Sequence, residues 1–170
     1  MKKQTLNTAF AALLAAGALA ACSPKFDWRD FRSTDAPYTV MLPGKAATHT
    51  RTVNLDGQEV KMTMSAAEVD GTMFAVGTAE LPDAAKAALA VQAMRLAMVR
   101  NINGTITKES TKNGAFEVEA RGTAANGAPV AMHGRFLAKD KRVYQVIILG
   151  NQKHFSADTV DTFLSSFKLY

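Results

Sequence analysis

Three histidines (His49, His133 and His154) and one thiol (Cys22) are the side chains of this 170-residue chain with the widest chemical repertoire. An imidazole can carry protons near neutrality or ligate a metal, and a thiolate can attack a carbonyl or bind zinc. Their spacing favours neither use. No His-x-x-His or His-Glu-x-x-His is present, so a zinc site would need all three histidines to converge with a carboxylate from distant positions. There is no Gly-x-Ser-x-Gly nucleophile elbow, and Gly71 and Gly77 flank a strand pattern without opening a phosphate-binding helix. The expectation is no catalytic residue, no metal ligand and no cofactor-binding residue.

The charged residues offer one constellation. Glu117, Glu119 and Arg121 alternate along one strand pattern, and His133 and Arg135 lie on a later one that could sit opposite. As a function this would be an anion or ligand patch. As structure it is a solvated ladder of cross-strand pairs, each contributing ~0.2–1 kcal/mol. The basic run Lys139-Asp140-Lys141-Arg142 could meet lipid phosphates or simply keep a hairpin tip soluble. Met62, Met64, Met94, Met98 and Met132 could ligate a soft metal, but their positions match the core faces of strands and a helix.

Cys22 closes a segment unlike the rest. Met1-Lys2-Lys3 opens it, no charged residue follows up to Pro24, and the run Ala9–Ala21 is continuously apolar and mostly alanine. A spanning helix needs about 20 apolar residues, whereas a basic start, a short apolar middle and a small-residue end mark a secretory signal. Leu19-Ala20-Ala21-Cys22 resembles the lipobox of bacterial lipoproteins. That resemblance implies cleavage before Cys22, a diacylglyceryl group on its thiol and an acylated amine, with membrane lipid as its first partner. Ser23, where an Asp would favour the inner membrane, resembles the outer-membrane pattern. A plainly secreted protein with Ala-x-Ala cleavage and a free thiol is the alternative. The division expected is a signal over 1–21, a lipidated tether over 22–26 and a single domain over 27–170.

Loss of residues 1–21 leaves 149 residues, enough for one domain with its own core. Lys2 and Lys3 leave with them, so the formal net charge falls from +5 to +3, too mild to argue for nucleic acid. No second cysteine is available for a disulfide, so packing alone must hold the domain. A tether of roughly five to ten residues reaches only ~15–35 Å, which keeps the domain near the membrane.

The elements that position these residues follow from turn chemistry. Asp56-Gly57, Asp70-Gly71, Asn113-Gly114 and Asn126-Gly127 supply the positive φ of tight hairpins, and Asp140-Lys141 separates two further strand patterns. They predict an antiparallel meander of about seven or eight strands in two groups. Between the groups, LPDAAKAALAVQAMRLAMVRNING reads as a helix that turns Val91, Met94, Met98 and Ile102 to the sheet. Leu89, Ala93 and Leu96 leave its other flank apolar enough for a second contact. A closing helix begins at Ser156 and faces inward with Val160, Phe163 and Phe167. Val143–Leu149 is apolar at nearly every position, which predicts a central strand covered on both faces.

Three stretches carry a family resemblance: Tyr38-Thr39-Val40-Met41-Leu42-Pro43-Gly44, Arg142-Val143-Tyr144-Gln145, and Phe163-Leu164-Ser165-Ser166-Phe167. Together they resemble bacterial members of the PsbP-like fold, an α-β-α sandwich around an antiparallel sheet, over residues 27–170. The resemblance implies an α+β domain and brings no catalytic residues. With the lipobox, the short tether and the lack of a catalytic constellation, the expectation is a domain that acts by binding, as an accessory to an envelope protein partner. A small-ligand carrier with a pocket between the alanine-rich helix and the sheet is the second expectation, and an enzyme of unrecognised type the third.

Overall fold

The computed structural model describes residues 25–170; Cys22 and the leader before it lie outside the described residues. Ten strands and two α-helices follow in the order β1 (Arg29–Arg32), β2 (Tyr38–Leu42), β3 (Ala47–Leu55), β4 (Gln58–Val69), β5 (Thr72–Glu80), α1 (Ala84–Asn101), β6 (Thr105–Lys112), β7 (Ala115–Thr123), β8 (Pro129–Lys139), β9 (Arg142–Gly150), α2 (Ala157–Ser166) and β10 (Lys168–Leu169). The class is α+β. Strands exceed the expected seven or eight because β1 and β10, of four and two residues, are too short to show alternation.

The main sheet has seven strands in the order β3-β4-β5-β9-β8-β7-β6, all antiparallel. Two meanders therefore meet at the β5–β9 pair, and α1 crosses from one to the other. β9 is the middle strand, and Val143–Ile148 are buried throughout, Gln145 included, as its nearly continuous apolar run predicts. Asp56-Gly57, Asp70-Gly71 and Asn113-Gly114 each place both residues at positive φ. Asn126-Gly127 behaves differently. Only Gly127 is left-handed (φ 79°), and Asn126 Oδ1 accepts from the Ala128 N–H, which makes a wider loop.

Each face of the sheet has its own core. On one, Ala87, Ala90, Val91, Met94 and Ile102 of α1 and its exit pack against Met62, Val118, Met132, Phe136 and Ile147. All five methionines of the soft-metal reading belong here, Met64 and Met98 at the margin. On the other face, Phe74, Val76, Tyr144, Val146 and Ile148 meet Phe163 and Phe167 at α2 and Tyr38, Val40 and Leu42 of β2. The second layer is completed by a three-stranded sheet, β1-β2-β10, in which Leu169 pairs with Tyr38. Among the described residues the outer flank of α1 gains no second contact: Leu89 and Leu96 are 58% and 45% exposed.

Helix ends follow their caps. Asp83 accepts from the Lys86 N–H to open α1, and Ser156 accepts from the Thr159 N–H to open α2. At the exit of α1 the left-handed residue is Asn103 (φ 46°), not Gly104. Gly104 and Gly122 serve close approach instead. A Cβ on Gly122 would lie 2.1 Å from the Ile102 carbonyl oxygen, which accepts from the Thr123 N–H at 2.6 Å.

Candidate functional site

The strand register brings the charged constellation together. Glu117 sits opposite Arg135, and Glu119 opposite His133, on the sheet face that carries α2. The next strand out adds Ser110 beside Glu117 and Lys108 beside Glu119. α2 covers β8 and β9 but leaves β6 and β7 open, so its flank becomes the wall of a groove. Ala157, Val160, Asp161 and Leu164 form that wall, and the volume enclosed is about 300 Å³. A second hollow of about 480 Å³ adjoins it past Lys112, Glu117 and Arg135, bounded by Leu137, Phe167 and Leu169.

Arg135 is the pivot of the groove. Its Nε and Nη2 donate to Glu117 Oε1 at 3.2 and 2.7 Å, and its Nη1 donates to the Leu164 carbonyl at 2.9 Å. One guanidinium thus ties two strands to the last turn of α2, where cations are favoured by the helix dipole. Lys108 Nζ lies 3.4 Å from Glu119 Oε1 on a far more exposed pair. The His133 ring stands edge-on to Phe155, with centroids 5.8 Å apart. Lys112, Ser110 and Asp161 add polar groups at the rim. The lining therefore mixes both charges with an apolar wall, which suits an amphipathic partner surface or ligand more than a simple anion.

Arg121 shares the face of Glu119 but is exposed, and it borders a shallower hollow of about 270 Å³ with Gln152 and His133. His49 stands on β3, at the edge of the sheet opposite β6. His154 lies in the turn before α2, where its Nδ1 is 2.8 Å from the Asp70 carbonyl. The three histidines are thus held apart, and no group of three His, Cys, Asp or Glu among the described residues could hold a metal. The basic run at Lys139–Arg142 is partly neutralised, since Lys141 and Arg142 both pair with Glu80 at 2.6 and 2.5 Å. Those contacts, the Lys141 hydrogen bond first, hold the Glu80 carboxyl below its ordinary value.

The ligand pocket expected between α1 and the sheet is replaced by packing. Ala87 and Ala90 are fully buried among Met94, Met132 and Ile147, so the small side chains bring the helix close instead of leaving space. The groove lies on the opposite face. Sequence reasoning found its floor and missed its walls. Val160 packs at the margin of the Phe163 core, as expected, and lines the groove as well, while Lys108, Ser110 and Lys112 were hidden in a strand exposed at every position. The available signal was the second α2 stripe, Ala157, Val160, Asp161 and Leu164, at helical spacing.

Comparison with known proteins assigns no family: no family model and no curated protein matches the chain. Among the described residues no helix is long and apolar enough to cross a membrane.

Proposed function

We propose that this is a lipid-anchored protein of the bacterial envelope, held through acylated Cys22 in the outer membrane, whose domain acts without catalysis by binding an envelope protein. The observation that carries the reading is the groove beside α2. It is a preformed surface of mixed charge with an apolar wall, and its central cation is already committed to Glu117 and the Leu164 carbonyl. Such a site suits recognition by shape and paired charge. The layering of a sheet between α1 and α2 supports the resemblance to PsbP-like domains, whose plant member is an accessory subunit.

Two measurements test it. Cys22→Ala should release the protein from the membrane fraction, and a variant still firmly bound would refute the anchor. A photo-crosslinker at Asp161, on the groove wall, should capture one dominant envelope protein, and the capture should disappear when Lys112 is changed to Glu. A second reading, a small-ligand carrier, is favoured by the adjoining hollow of about 480 Å³. A ligand retained by the purified protein in native mass spectrometry, with no crosslinked partner, would select it.

A further inference from the structure

From the point where the chain enters the fold we infer that one end of the sheet, the end carrying Lys25, Trp28 and the Asp70-Gly71 turn, is a lipid-facing surface on which the domain stands upright. The inference rests on the anchoring of Cys22 proposed above. Packing begins at once: the Phe26 ring lies tilted against Trp28 and edge-on to Phe74, with centroids 5.7 and 5.6 Å away. Lys25 Nζ reaches the His154 carbonyl at 2.5 Å and Asp70 Oδ2 at 3.6 Å. Only Ser23 and Pro24 separate Cys22 from Lys25. Three peptide steps span about 10 Å at most, so the acylated cysteine keeps Lys25 within that distance of the headgroups.

Register identifies what else shares this end. Val69 pairs with Thr72, Met73 with Leu149, Ala131 with Gly150, and Thr123 with Pro129. The 70–71 turn, the 124–128 loop and the 151–154 connection therefore lie together, with half-buried Phe26 and Trp28 beside Lys25, Arg29 and Lys153. The flank is of mixed charge, since Arg29 pairs with Asp27 and Lys25 with Asp70 while Lys153 adds a further cation. Partly exposed aromatic rings with such a polar rim suit the headgroup layer, where an apolar body and a wet rim are both accommodated. The opposite end carries the 56–57, 113–114 and 140–141 turns, because Leu55 pairs with Gln58, Lys112 with Ala115 and Lys139 with Arg142. The nine residues of β9 place Arg142 about 25–30 Å from Gly150.

Resting on α1 instead is ruled out by reach. Phe26 and Trp28 pack on Phe74, on the α2 side of the sheet. The opposite surface lies beyond the sheet and a helix about 10 Å thick, farther than the tether extends. Lys25 Nζ bonds to strand-end groups, which holds Lys25 at that end of the sheet. Lys139–Arg142 then projects away from the bilayer. The α2 groove runs along the membrane normal, and the hollow beside Phe167 and Leu169 opens on the distal side.

The test uses full-length lipidated protein reconstituted in phosphatidylethanolamine–phosphatidylglycerol vesicles, with a single fluorophore on Ala125→Cys, Lys139→Cys or Asp161→Cys and an acceptor on the lipid headgroups. Energy transfer should be strongest from position 125, several-fold weaker from 139, and intermediate from 161. Equal transfer from 125 and 139, or the strongest transfer from 161, in protein that is demonstrably anchored would overturn the upright orientation. Protein recovered in the soluble fraction with an unmodified Cys22 thiol would overturn the anchor, and the orientation with it.

Discussion

Arg135 shows how a residue acquires its weight from what it joins. Its guanidinium and the Glu117 carboxylate are only partly exposed, at 25% and 32%, and it also holds the Leu164 carbonyl. Arg135→Ala should therefore destabilise the domain by about 1–3 kcal/mol in urea unfolding, with part regained when Glu117→Gln removes the orphaned charge. Lys108→Ala, which breaks a pair with a 72% exposed lysine, should change stability by less than about 0.5 kcal/mol. Glu80 supplies a pH signature. Its folded carboxyl titrates below the ordinary value near 4.5 because Lys141 and Arg142 favour the anion. The stability this lends is complete above that value and fades as pH falls through the folded one. Acid unfolding of Glu80→Gln should accordingly begin less steeply than that of the wild type. At this scale the sequence was informative about identity and face: alternation put Glu117, Glu119, His133 and Arg135 on one surface. It was silent on Leu164, because a carbonyl acceptor depends on where a helix ends and not on its side chain.

At the scale of elements, strength of local signal decided what was legible. β9 announced itself by a seven-residue run apolar at every position but Gln145, and four turns by Asp-Gly or Asn-Gly. β10 could not, since its two residues pair with β2 across more than a hundred positions. At the exit of α1 Asn103 makes the left-handed turn, while Gly104 and Gly122 allow α1 and β7 to touch. That distinction is testable. Gly122→Ala would press a methyl against the Ile102 backbone carbonyl, so it should cost about 1–3 kcal/mol or more and loosen the end of α1 in hydrogen exchange. Gly77→Ala meets Met64 Sδ at 2.5 Å and Gln145 Cγ and Nε2 at 2.8 Å, side-chain atoms and not backbone, so it should cost less than Gly122→Ala. Asp83→Ala should cost about 1 kcal/mol through the lost cap of α1.

Across the whole molecule, two aromatic hydroxyls link the layers. Tyr38 of the small sheet stands edge-on to Tyr144 of β9, centroids 6.1 Å apart, and burial above all pushes both phenols above their usual value of 10.0. Below that pH neither state loses the proton and the contribution is complete. Above it the unfolded chain ionises first, so stability should drop as pH climbs through the folded values. Urea midpoints measured between about pH 9 and about pH 11 should fall, and fall less in Tyr144→Phe. The three-layer plan itself was foreseeable from two amphipathic helices flanking a doubly covered strand. The groove was not, because it arises from α2 covering fewer strands than the sheet contains.

The meeting of β5 with β9 also sets a timetable. Strand β5 ends at Glu80, yet the strand that completes its pairing begins at Arg142, and β2 waits for Leu169 before its own sheet closes. A chain that emerges from the N-terminus therefore holds its first meander with an open inner edge for some sixty residues of synthesis. Native closure must come late, after nearly the whole polypeptide is present. In the export proposed above, where a chain threads through a membrane pore as an extended polymer, this delay would keep it in a translocatable state until its final residues are made.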